Sequence, residues 1–179
     1  SGKRIADTTN QGRPMTQKSQ QMSQPRNCKL IIEKDVKIPL RDGTLLFADV
    51  FRPDFTGERS PAIMNLGPYQ KDKPWIPPDD LEEKANPYMA WETANPDWWC
   101  PRGYICVRVD ARGAGKSPGR SEPSSHQESL DFYDAVEWIA KQPWCSGNIG
   151  TLGISYHASS QWRLANLQPP SLKAIMPWE

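Results

Sequence analysis

Apolar and polar positions alternate along two early stretches of the chain and recur at helical spacing along two later ones. Residues 29–40 carry Val36 and Ile38 between charges, the period-two pattern of a strand with one covered face. Arg41-Asp42-Gly43 reads as a hairpin turn, with residues 44–53 as the returning strand. Residues 61–67 and 103–110 are short apolar runs, which predicts interior strands. Residues 129–141 place Leu130, Tyr133, Val136 and Ile139 at helical spacing with Asp and Glu on the other face, which predicts a helix packed through the apolar side. Residues 148–153 predict a strand that turns at Ser155 into a helix reaching residue 167, and residues 171–179 open another strand. Residues 70–100 show no period. They carry Pro74, Pro77, Pro78, Pro87 and Pro96 with Trp75, Trp91, Trp98 and Trp99, and one short helix is predicted at 79–84. A connection of this length inside a compact domain is usually functional; the alternative, for any one tryptophan, is that it covers an edge of the core.

A hairpin followed by strands that alternate with helices predicts an α/β fold: a mostly parallel sheet with helices on both faces. Ligands of such sheets bind at the carboxyl ends of the strands. Tyr69, the loop after Asp110 and Ser155 all fall at such ends.

Composition narrows the function. The 179 residues are enough for one domain with a sizeable core. Residues 1–28 are polar and rich in Gln, Ser and Lys, and read as a flexible leader before a folded domain over 29–179. The 22 basic and 21 acidic residues balance, so no basic surface argues for nucleic acid. No apolar run approaches the ~18 residues of a membrane span. The four cysteines, Cys28, Cys100, Cys106 and Cys145, show no C-x-x-C or framework spacing, which points to free thiols and a cytoplasmic protein. No metal-ligand spacing appears and no cofactor motif stands up.

The chemistry concentrates at Gly153-Ile-Ser155-Tyr156-His157. A serine at a sharp strand-to-helix turn is a nucleophile elbow: the turn lifts the hydroxyl off the sheet, and the helix start behind it offers backbone N–H groups to an anion. Gly153 fits a backbone that passes close to a neighbouring strand. The alternative is an ordinary connection with Ser155 as an N-cap. A second motif, Ala114-Gly-Lys-Ser117, imitates a phosphate loop, but Asp110 occupies the position of its first glycine and Pro118-Gly119 blocks the helix that must follow. Asp110 and Arg112 are instead expected to hold this loop by a local ion pair. His126 and His157 are the only histidines. His157 lies two positions after Ser155, on a diverging direction of the helix, so it is not expected to serve as the base. His126 reads as a surface histidine. In hydrolases with this elbow the acid and the histidine follow the serine, which would put both beyond residue 179.

Ile38-Pro-Leu-Arg-Asp-Gly43, Gly67-Pro-Tyr69, Val109-Asp-Ala-Arg-Gly-Ala-Gly-Lys-Ser117, Gln142-Pro-Trp144, Gly153-Ile-Ser-Tyr156 with Gln161-Trp162, and the run from Pro169 to Glu179 follow one another in an order and spacing that resemble the N-terminal part of the CocE/NonD-type α/β-hydrolases, the group of cocaine esterase and the Xaa-Pro dipeptidyl-peptidases. The resemblance covers residues from about 30 to 179. It implies the first five or six strands of a partial α/β-hydrolase sheet, cut before its last strands. It further implies Ser155 as nucleophile, the Tyr69 hydroxyl as one oxyanion donor, the Tyr156 N–H as the other, and a small acyl ester or peptide as substrate. A sheet cut there has an open edge, compatible with aggregation or a homo-oligomer. Two rivals stand beside this reading: a catalytically incomplete fragment or pseudoenzyme that at most binds, and a nucleotide binder using Lys116.

Overall fold

A computed structural model describes residues 23–178 apart from Glu83. Most of the expected leader, residues 1–22, lies outside the described residues. Its last residues carry no regular structure but rest on the body. The Ser23 hydroxyl donates to the Arg102 carbonyl, the Arg26 N–H to the Pro101 carbonyl, and the Arg26 guanidinium forks onto Glu58 over the Phe55 ring.

Six strands form one sheet: β1 (Leu30–Pro39), β2 (Leu45–Pro53), β3 (Ser60–Gly67), β4 (Ile105–Asp110), β5 (Cys145–Ile154) and β6 (Leu172–Trp178). Their order is β1-β2-β4-β3-β5-β6. The β1/β2 and β2/β4 pairs are antiparallel; β4, β3, β5 and β6 are parallel. Helix α2 (His126–Ala140) connects β4 to β5, and α3 (Tyr156–Asn166) connects β5 to β6. A four-residue helix, α1 (Pro96–Trp99), precedes β4.

Alternation divides the core in two. Ala62, Met64 and Leu66 of β3 and Ile105, Val107 and Val109 of β4 face one side, where they pack with Phe132, Ala135, Val136 and Ile139 of α2 and Leu164 of α3. Ile63 and Cys106 point the other way and join Phe51, Ala94 and Cys100. The helices flank the sheet unequally: the two long ones lie on one face, and only the four-residue α1 lies on the other. Helices α2 and α3 touch each other on one face. The other face is covered by the irregular segment that leads from β3 to β4.

That segment differs from its reading in two further places. Residues 79–82 form turns rather than a helix; Leu81, their only apolar residue, is exposed, so a helix there has no face to bury. The helix that does form is α1, where Asn95 accepts from the Asp97 N–H at 3.2 Å and Pro96 supplies a preset first position. Helix α2 starts three residues earlier than expected, because the Ser125 hydroxyl accepts from the Glu128 N–H at 3.0 Å. Its register also shifts. Phe132 and Ala135 are buried in place of Leu130 and Tyr133, which are half-buried, and Glu128 and Asp131 lie inside. Asp131 is tolerated there because the Arg112 guanidinium meets it with two bonds of 2.8 Å.

Candidate active site

The turn between β5 and α3 carries the strongest local signal. Ser155 has φ 53° and ψ −113°, a backbone conformation that costs a non-glycine residue on the order of 1–3 kcal/mol. Its N–H donates to the Trp178 carbonyl at 3.0 Å, and its carbonyl accepts from Ala158 and Ser159, each at 3.0 Å. The backbone is thus held on both sides of the strained residue. The Ser155 side chain makes no cap, and its hydroxyl has no hydrogen-bond partner among the described residues. It is exposed at the surface. The N-cap alternative does not hold.

Gly153 makes the turn possible, though its neighbour is not the strand expected from the sequence. A Cβ at Gly153 would lie 2.2 Å from the Cβ of His157, the second residue of α3. A Cβ at Gly67 would lie 2.2 Å from the same ring's Nε2. His157 therefore fills the space between the ends of β3 and β5. Its Nε2 stands 3.2 Å from the Asn65 amide nitrogen, and its Nδ1 is buried beside the Glu92 carbonyl without a bond of full geometry. Burial disfavours the charged ring and pulls its pKa down to about 4. It makes no bond to Ser155, in line with its expected divergence. His126 opens α2 at the surface.

Tyr69 stands after β3, half-buried, with its ring 5.2 Å edge-on from His157 and 6.1 Å from Tyr156. Its hydroxyl has no hydrogen-bond partner among the described residues. Burial, then the nearby Glu92 carboxylate, raises its pKa, so the phenol keeps its proton. Tyr156 is the first residue of α3, where helix N–H groups lack a partner within the helix. Its hydroxyl is committed elsewhere: it donates to Glu128 at 2.6 Å and accepts from the Ser124 N–H at 3.1 Å. Burial and that carboxylate push its pKa up to about 12. Of the three residues singled out from the sequence, Tyr69 and Tyr156 thus meet ring to ring at the carboxyl ends of β3 and β5, and Ser155 directly precedes Tyr156 in the chain.

Beside the elbow, Trp75, Met89, Trp91, Leu152 and Ile154 line a mainly apolar groove of about 400 Å³. Its outer wall belongs to the irregular segment. Arg108, buried on β4, holds that wall by donating to the carbonyls of Tyr88 at 2.5 Å and Ala94 at 3.0 Å. Burial lowers the Arg108 pKa to about 10.

The glycine loop after β4 closes on its own residues. Asp110 accepts from the Lys71 N–H at 2.7 Å and the Lys116 N–H at 3.1 Å, and the Ser117 hydroxyl donates to the Asp110 carbonyl while accepting from the Phe47 N–H. The Lys116 ammonium is taken by Asp35. The expected Asp110–Arg112 pair is absent: Arg112 turns to Asp131 and Asp42. The Asp110 carboxylate takes the Lys116 N–H and packs against Gly115, so this loop's groups are turned onto the protein itself. Lys71 with Asp35 and Asp49 was not singled out from the sequence, where a lysine in an irregular stretch gives no sign of burial. All four cysteines are unpaired, and no helix of the described residues is long and apolar enough to cross a membrane.

Comparison with known proteins fits this geometry. The chain is 34% identical over 148 residues to cocaine esterase of Rhodococcus sp. (strain MB1 Bresler), a match that takes in 82% of this chain and 23% of that protein. The CocE/NonD family hydrolase of Staphylococcus aureus superposes with a TM-score of 0.74 at 37% identity, over 82% of this chain and 27% of that one. An α-amino acid ester hydrolase shares the fold, with a TM-score of 0.60 at 23% identity over 91% of this chain and 28% of that one. The chain spans about a quarter of the length of the curated relatives it matches. The sheet order, the elbow after β5 and these neighbours define an α/β-hydrolase fold. Residues 42–179 match the family described as X-Pro dipeptidyl-peptidase (S15 family), and the chain belongs to that family.

Proposed function

We propose that this chain carries the nucleophile and the oxyanion donors of a serine hydrolase that cleaves small acyl esters or the N-terminal end of peptides. The observation that carries the reading is the strained Ser155 backbone, held in place by bonds on both sides, with an exposed side chain and with Ile154, the residue before it, in the wall of an apolar groove.

The Ser155 oxygen attacks the acyl carbon, and its proton passes to a base. The carbonyl oxygen becomes an anion, met by the Tyr156 N–H and the Tyr69 hydroxyl, the latter kept protonated by its surroundings. Collapse expels the leaving group with a proton and leaves an acyl-enzyme; water then attacks, and the acid departs as the serine is restored. Trp75, Trp91, Leu152 and Ile154 offer the acyl part an apolar wall. The base comes from outside these 179 residues, as an aspartate and a histidine following the serine. His157, buried against Asn65 with a pKa of about 4, is too weak a base at neutral pH. The chemistry requires neither metal nor cofactor. The unpaired thiols support a cytoplasmic setting.

A second reading, a fold that binds without turnover, is favoured by His157, which faces Asn65 rather than the Ser155 hydroxyl. A fluorophosphonate probe read by intact mass decides between them, with free imidazole added to supply the base. Labelling at Ser155 that imidazole accelerates, that Ser155→Ala abolishes and that Tyr69→Phe slows on the order of 10²-fold supports the hydrolase. A folded chain that never labels supports the second reading.

A further inference from the structure

We propose that Lys71 is a positioning residue for the Tyr69 hydroxyl, clamped at its backbone by Asp110 and at its ammonium by Asp49 and Asp35. The proposal rests on the reading of Tyr69 as an oxyanion donor.

The Tyr69 hydroxyl makes no hydrogen bond of its own among the described residues. Its place is therefore set by the ring's contacts and by the backbone that carries it. The ring leans on His157 and Tyr156. The backbone is fixed two residues on, at Lys71. The Lys71 N–H donates to Asp110 Oδ1 at 2.7 Å. Its ammonium, with the side chain only 1% exposed, meets Asp35 Oδ1 at 2.7 Å and Asp49 Oδ1 at 3.1 Å. Only Gln70 lies between, and it is itself held at φ 69° in a turn closed by the Lys73 N–H on its carbonyl. Two residues of chain span at most ~7 Å, so an anchor at Lys71 leaves the Tyr69 Cα little freedom.

Each carboxylate in the clamp is itself immobilised. Asp49, on β2 and without exposure, accepts from the Asp35 N–H at 3.2 Å through one oxygen and from the Lys34 ammonium through the other. Asp35 stands in a bulge of β1 between Glu33 and Val36, with φ 57°, a conformation that turns its carboxylate toward both Lys71 and Lys116. Asp110 is wrapped by the glycine loop so tightly that a Cβ at Gly115 would lie 2.2 Å from its Oδ2. A buried lysine between two carboxylates adds little net stability relative to apolar residues of similar volume, whereas in some proteins buried polar groups fix register, the role proposed for this one. Two left-handed non-glycine residues, Asp35 and Gln70, are spent on one contact that ends two positions from the candidate oxyanion donor.

A double-mutant cycle on fluorophosphonate labelling, with imidazole added, tests this. Lys71→Met slows labelling on the order of tenfold or more when Tyr69 is present, because a hydroxyl displaced by a fraction of an ångström no longer meets the developing charge. In the Tyr69→Phe background the same change costs less than about twofold. Equal losses in both backgrounds overturn the proposal, since Lys71 would then act on the fold at large. Tyr69→Phe labelling at the wild-type rate instead removes the oxyanion reading itself, and a chain that never labels removes both. If Lys71→Met does not fold, Asp35→Asn at the surface end of the clamp takes its place. It is expected to give a smaller loss that again vanishes in the Tyr69→Phe background, and a loss that persists there overturns the proposal.

Discussion

The two faces of the sheet are covered by different physics. Under α2 and α3 the contacts are apolar and interlocked: Phe132, Val136, Ile139 and Leu164 lie against Met64, Leu66, Val107 and Val109. Under the irregular segment, Asp49, Asn65, Arg108 and Asp110 are all buried, and the segment is pinned by directed bonds, above all from Arg108 and Asp110. The first covering is strong because many small contacts add up. The second specifies where individual backbone atoms lie. The candidate site has Ser155 at the edge of the first and one wall of its groove in the second.

Three changes should break or sharpen that contrast. The largest effect is expected from Phe132→Ala, which empties the centre of the helical face and should cost ~3–5 kcal/mol, read as a lower denaturation midpoint for the whole domain. Next comes acid, acting through His157 where the two coverings meet. Its folded pKa is about 4 against an ordinary 6.5, so the unfolded chain takes the proton first. The stability it confers is complete above about pH 6.5, falls by about 3 kcal/mol as the pH drops toward 4, and then levels off. Denaturant titrations at pH 7 and 4.5 should show this loss in the native protein and a smaller one in His157→Leu. The smallest effect is expected from Arg108→Met, which leaves two carbonyls without their donor for about 2 kcal/mol. Amide exchange should quicken across residues 86–95 while α2 keeps its protection; a uniform loss over both faces would mean the segment is not held independently.

What was legible in the sequence follows the same division. Strands β3 and β4 stood out because both their faces are covered and their side chains are correspondingly apolar. The elbow stood out because a strand, a glycine, a serine and a helix start are all local. The irregular segment was opaque. Its fixtures are side chains such as Arg108 that reach carbonyls 14 and 20 residues away, and such bonds leave no period. Asn95-Pro96 did carry a helix-start signal that would have located α1. The register of α2 was misjudged for a definite reason: charged positions were assigned to solvent, whereas Asp131 is inside with Arg112 and Glu128 inside with Tyr156.

The imidazole of His157, wedged between two glycines, bears on how such sequences can diverge. The Gly153 contact is with the Cβ of His157, which every residue other than glycine possesses, so position 153 stays frozen under almost any exchange at 157. The Gly67 contact is with the far side of the ring, at 2.2 Å from Nε2 and 2.6 Å from Cδ2. A lineage that shortens residue 157 therefore frees position 67 to acquire a side chain, and one that keeps a ring there does not. Aligned relatives should show positions 67 and 157 exchanging volume in opposite directions while position 153 remains invariant.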